Sequence, residues 1–147
     1  DEVNNALTGN TIVISANADL VMTAASGPAA GVTGGPIGIN NTVLNQGSAS
    51  IASFSVGLYL SADANITTAD PRSGTRFVNG LAAGASSTAT TTVTVPATLA
   101  PGAYYVGAIA DYAASRAESN EPNNALTGNA ISVTPGADLV MTALSGP

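Results

Sequence analysis

The chain of 147 residues has no cysteine, histidine, lysine or tryptophan. Each absence excludes a class of chemistry. Without cysteine there is no disulfide framework and no thiolate nucleophile or metal ligand. Without histidine the commonest general base and metal ligand is missing. Without lysine no Lys–Asn isopeptide staple can form. Aromatic residues are four Tyr and two Phe, so small aliphatic and β-branched side chains must fill any core. The uncharged stretch from Leu20 to Ala62 is interrupted every few residues by Asn, Thr, Ser, Gly or Pro. It therefore contains no run of ~18 apolar residues that would span a membrane. No serine sits in a nucleophile elbow and no glycine-rich loop leads into a helix. The carboxylate pair Asp63 and Asp70 is the nearest approach to acid–base chemistry, and nothing around it suggests a cleft. An enzyme is not expected.

What is present is 28 Ala, 17 Thr, 16 Gly, 14 Ser and 13 Asn, a composition associated with large secreted bacterial proteins. The formal net charge is −6. Such a chain should repel nucleic acid and anionic membranes and attract divalent cations.

The strongest signal is internal repetition. NNALTGN at residues 4–10 returns at 123–129, and ADLVMTAASGP at 18–28 returns as ADLVMTALSGP at 137–147. All matches share an offset of 119 residues, and 19 of the 28 overlapping positions are identical. That period is too long for a solenoid repeat and fits one compact domain. Residues 1–15 then read as the last strand of a preceding repeat or a donated strand, 18–134 as one complete repeat, and 137–147 as the first strand of the next. One period carries six acids and three arginines, so a long array would be a polyanion.

The hydrophobic period is two. Phe54, Val56, Leu58 and Leu60 alternate with Ser53, Ser55, Gly57, Tyr59 and Ser61, as in a half-buried strand. Strands are expected at 18–24, 36–45, 53–61, 75–80, 88–95, 103–111 and 127–134, with turn signals between them and no helix. Seven strands so spaced predict an all-β, seven-stranded antiparallel sandwich of the immunoglobulin/fibronectin type III kind. Tyr104 or Tyr105, just after LAPG, is either the corner tyrosine of such a sandwich or a plain core aromatic.

The segments VLNQGSASIASFSVGLYLSADANITTADPRSGTR, LAAGASSTATTTVTVP, LAPGAYYVGAIAD and ESNEPNN occur in that order. Together, over roughly residues 18–134, they resemble the CARDB domain, a cell-adhesion-related domain of bacteria and archaea. The resemblance implies a fibronectin-like sandwich, tandem copies in large surface proteins and an adhesive or scaffolding role. It implies no catalytic site and no defined ligand. Pro122 and the high alanine content depart from the family pattern without threatening the fold.

Most acids fall in two loops and one linker. The loop 61–76 offers Asp63, Asn65, Thr67 and Asp70. This is an oxygen set suited to Ca²⁺, but it lacks the glycine and terminal glutamate of an EF-hand. The alternatives are a solvated loop with Asp and Asn capping turns, or an ion pair of Asp70 with Arg72 or Arg76. The loop 111–124 offers Asp111, Glu118, Asn120, Glu121, Asn123 and Asn124. Its length calls for a metal or an Arg116 network to order it, and the alternative, weighed slightly ahead, is a mobile acidic tip. The linker 133–139 carries Asp138, whose earlier copy is Asp19. In a seven-stranded sandwich the two loops should lie at opposite ends, about 25–30 Å apart. They would meet only in a head-to-tail array, where Ca²⁺ would stiffen the joint.

The leading expectation is a structural repeat of a long extracellular bacterial adhesin or filament. Its partners would be adjacent copies of the same repeat, with neighbouring chains paired in a donor-strand fibre as an alternative. A carbohydrate- or surface-binding module is a further alternative, with Tyr59 as its best aromatic platform, although packing of Tyr59 under a neighbouring loop is the stronger expectation. Neither nucleic-acid binding nor membrane insertion is expected.

Overall fold

The computed structural model describes residues 9–13 and 17–147. Eight strands form two sheets: β1 (Leu20–Ser26), β2 (Ala30–Val32), β3 (Pro36–Asn45), β4 (Phe54–Ser61), β5 (Arg72–Val78), β6 (Ser86–Thr94), β7 (Gly102–Ile109) and β8 (Ala125–Thr134). One sheet has the order β1-β3-β6 and the other β2-β8-β7-β4-β5. Every pairing is antiparallel except β2 with β8. Among the described residues the only helical element is a 3-10 turn, Glu121–Asn123.

The alternation seen in the sequence builds this core. β3 turns Ile37, Ile39, Asn41, Val43 and Asn45 inward. β4 meets them with Phe54, Val56, Leu58 and Leu60, and β8 adds Ile131 and Val133. Strand 36–45 forms as expected. The others shift by one to three residues, since strand ends follow hydrogen bonding more than hydrophobicity. β2 is the unanticipated element. After Gly27–Pro28 the chain crosses from one sheet to the other, and three small residues pair in parallel with β8 at Ala30↔Ser132, Gly31↔Val133 and Val32↔Thr134. Of the two tyrosine candidates, Tyr104 makes the corner: its hydroxyl donates to Ala100 O at 2.7 Å, back across the turn into β7.

Two asparagines and an arginine tie the layers together. Asn41 is fully buried and donates to Ile39 O and Thr91 Oγ1. Arg76 on β5 reaches across the open edge to the Asn41 carbonyl oxygens and to Ser87. Burial lowers its pKa. Asn45, also fully buried, donates to Ala49 O, Leu81 O and Ala82 O and accepts from Asp19 N and Gly47 N. It thereby holds three turns at one end. Unmet buried polar groups are costly, so satisfied ones fix a single arrangement.

Among the described residues all eight strands lie within residues 20–134. The expected strand of a preceding repeat at 1–15 falls largely on residues 1–8 and 14–15, outside the described residues. Residues 9–13 and 135–147 are in no strand.

Candidate functional site

The two ends of the sandwich concentrate its polar chemistry. At the downstream end, where β8 leaves, β4 runs into the loop 62–71. Asp63 accepts from Asn65 N at 2.8 Å. Asp70 accepts from Ser61 Oγ at 2.8 Å and from Thr67 N at 2.7 Å. Both carboxylates therefore cap turns of their own loop. The ion pair expected for Asp70 does not form, because its neighbouring cations are engaged elsewhere. Arg72 lies over the Tyr112 ring, 4.6 Å from its centroid, and Arg76 points into the asparagine cluster.

This loop does not stand off the end of the sandwich. It doubles back over the outer face of the second sheet, where Ile66 packs with Tyr59, Ile109 and Tyr112. Ala64 O accepts from Thr127 Oγ1 at 2.7 Å. The space is made by Gly107, where a Cβ would lie 2.4 Å from Ile66 Cδ1. The flanks of the two loops therefore meet across Arg72 and Tyr112, rather than lying a whole strand apart. Tyr59, proposed as a sugar platform, is 1% exposed beneath this strap.

At the upstream end the loop 111–124 is ordered by hydrogen bonds. Asp111 has φ 41° and accepts from Ser115 Oγ and Arg116 N. Arg116 then donates from Nε to Ser53 O at 2.6 Å, the arginine network foreseen as one of two ordering devices. Glu118 accepts from Leu20 N at 2.6 Å and from Asn124 Nδ2 at 3.1 Å. Glu121 accepts from Glu118 N. Asp19 accepts from Asn123 Nδ2 and Gln46 Nε2, each at 2.9 Å. The motif ESNEPNN is thus a clamp on the segment that enters β1.

As a cation site the arrangement is incomplete. Asp19, Asp111, Glu118 and Glu121 gather around one end, while Asp63, Asn65, Thr67 and Asp70 sit in the other loop and Asp138 stands exposed beyond β8. Every one of these carboxylates except Asp138 already accepts from at least one donor. Among the described residues no group of three or more Asp or Glu could hold a metal ion. At the upstream end the Oδ1 atoms of Asn123 and Asn124 are buried without a hydrogen-bond partner.

The carboxyl of Glu118 has a shifted pKa. Burial raises it, against the lowering effect of the Leu20 and Asn124 hydrogen bonds. Its folded value lies above its unfolded one, so ionisation penalises the native state at neutral pH. Stability from this group is gained as pH falls from above the raised value towards the ordinary glutamate value, the reverse of a typical paired carboxylate. A ¹³C carboxyl titration should place the Glu118 midpoint above that of glutamate in an unfolded peptide. A midpoint at or below it would contradict the burial described here.

A groove of about 430 Å³ lies between β2 and β3, lined by Pro28, Gly31, Val32, Pro36, Ile37 and Thr134 among others. The lining contains no ionisable side chain, so it supplies neither acid nor base. Among the described residues no helix is long and apolar enough to cross a membrane.

Sequence reasoning saw Asn45 and Gly47 only as part of a family motif and missed Asn129. Asn129 pairs with the Gly27 backbone through both amide atoms, accepting from N at 2.9 Å and donating to O at 3.2 Å. The available signal for Asn45 was its phase, since a polar residue continued the buried alternation of β3.

Known proteins agree with this architecture. The CARDB domain of a Pyrococcus furiosus protein, solved in complex with di-metal ions, superposes with TM-score 0.58 at 22% identity, covering 80% of this chain and 90% of that one. A domain of a Methanosarcina acetivorans protein described as a cell-surface protein gives TM-score 0.54 at 22% identity, covering 80% and 93%. A β-glucosidase from Listeria innocua in complex with glucose gives TM-score 0.52 at 16% identity, but the match spans only 17% of that enzyme. These likenesses concern the fold. No curated protein matches the chain. The sequence profile of CARDB, a non-catalytic and cell-adhesion-related family, matches residues 17–128. The chain belongs to the CARDB family, and at that coarse level it is a surface- or adhesion-related module.

Proposed function

We propose that the chain is one period of a long extracellular array, a structural repeat that gives a microbial adhesin or filament its reach. The observation that carries this reading is the contrast between duplicated residues. Leu20 and Met22 are 0% and 3% exposed inside the sandwich, whereas their copies Leu139 and Met141 are 96% and 78% exposed. Full burial of one such side chain is worth about 1.5–3 kcal/mol, so the outlying copies have a strong drive to complete another sandwich. In an array, the following copy supplies that sandwich.

The same exposed copies favour a second reading, in which a neighbouring chain accepts the strand by β-augmentation. Calcium enters either reading at one place only, the upstream end, where the Oδ1 atoms of Asn123 and Asn124 lie unpartnered next to Asp19 and Glu118.

Intact-mass measurement on protein taken from its native source separates the readings. The array predicts a mass many periods above that of the 147-residue chain. A mass equal to that of the chain, in material that assembles into fibres, selects strand donation. The same mass in a monomer rejects both.

A further inference from the structure

The joint between successive copies follows from two sets of hydrogen bonds at one repeat position. Residues 17 and 136 are equivalent under the 119-residue period. At the downstream end, Gly136 N donates to Thr33 Oγ1 at 2.9 Å, and Thr33 N donates to Thr134 O at 2.9 Å. The connector is thus still fastened to its own sandwich two residues after β8. Glycine suits this joint, since a Cβ on residue 136 would lie 2.6 Å from Thr33 O; the equivalent residue of the preceding joint is Asn17. Pro135 between the two bonds has a fixed φ.

At the upstream end the same position is fastened by its other side. Asn17 O accepts from Ser48 N at 2.9 Å and Ala49 N at 3.3 Å. The next residues follow suit: Ala18 O accepts from Ser119 N, and Asp19 O accepts from Gln46 N. Gly47 permits this, since a Cβ there would lie 2.3 Å from Asn17 O and 2.5 Å from Asp19 N. The carbonyl side makes no demand on the side chain, which is exposed at Asn17.

We infer that this copy and the one that follows are joined with no free residue between them: the N–H of residue 136 is bound by the sandwich it leaves and its C=O by the sandwich that follows. This rests on the array reading above. The N–H and C=O of one residue lie within about 3.6 Å of each other, so Thr33 Oγ1 of one copy and Ser48 N of the next come within about 9 Å. The turns Thr33–Gly35 and Gln46–Ser48 therefore face each other across the joint. With both peptide groups engaged, φ and ψ of residue 136 are the only backbone torsions left between the two sandwiches, the facing turns restrict them, and the array is stiff without a bound cation.

The test extends the full chain by one period, appending residues 29–147 after Pro147, the copy of Pro28. The natural sequence has no cysteine, so Ala97→Cys in both copies gives two unique spin-label sites. Double electron–electron resonance should show a distance distribution no broader than that of Ala83→Cys with Ala97→Cys within one copy, and unchanged by EDTA. Inserting two glycines after Gly136 should broaden it at least twofold. Two folded sandwiches whose distribution already matches the glycine-inserted chain would overturn the rigid joint while leaving the array intact. A narrow distribution that broadens with EDTA would also overturn it, transferring the stiffness to a cation. An appended period that fails to fold would instead reject the array reading itself.

Discussion

Gly128→Ala should lower the stability of the chain by about 2–4 kcal/mol, at and just above the top of the ~1–3 kcal/mol typical of overpacking, because nothing can yield. Gly128 is the central residue of the repeated TGN. A Cβ on it would lie 2.1 Å from Ala25 O, 2.8 Å from Ala25 C and 3.2 Å from Val106 O. All three are backbone atoms, so no side chain can rotate away. Relief requires β8 to move from β1 and β7 together, and those strands belong to different sheets. The flanking residues oppose that movement: Thr127 holds the loop strap through Ala64 O, and Asn129 holds the Gly27 backbone. At about 4 °C per kcal/mol, the thermal midpoint should fall by about 8–16 °C. The chain supplies its own control. Gly9 is the same residue of the same motif in the outlying copy, and a Cβ there meets nothing within 4 Å. Gly9→Ala should stay within about 0.5 kcal/mol of the parent. Equal losses for the two variants, measured by urea or thermal denaturation, would show that the repeated TGN is not shaped by packing.

The TGN case shows what was legible in the sequence and what was not. A period of two carries the sandwich because β3, β4 and β8 each bury alternate residues against one core, and β3 could be delimited to the residue. β2 could not be seen. It has three small residues and no alternation, and it forms only because the crossing after Pro28 lays it along β8. The acidic loop 62–71 was left between alternatives for a different reason. Asp, Asn and Thr at alternate positions suit a cation and suit turn capping equally well, and only their partners decide. Ile66, a lone large apolar residue in that loop, was the available hint that the loop packs down, and Tyr59 is buried as a result. The NQG and ESNEPNN motifs were recognised as family marks. Their physical content is a clamp on residues 17–20, and it joins positions about a hundred apart in sequence, such as Glu118 with Leu20. No local pattern encodes such a contact.

The claim on which the rest depends is that the apolar residues beyond β8 are the first strand of another sandwich. Methionine oxidation tests it directly, because the chain's two methionines, Met22 and Met141, are the duplicated pair. Oxidation rate follows exposure of the thioether. In the 147-residue chain, dilute peroxide should convert Met141, 78% exposed, at least about tenfold faster than Met22, 3% exposed, which reacts only through opening of the sandwich. In the chain extended by one period, Met141 should become as slow as Met22, so that one methionine of three oxidises rapidly, the last in sequence. Peptide mass spectrometry reads both rates. Two rapidly oxidised methionines in the extended chain would mean that Met141 stays exposed when a following copy is present, and would contradict the account.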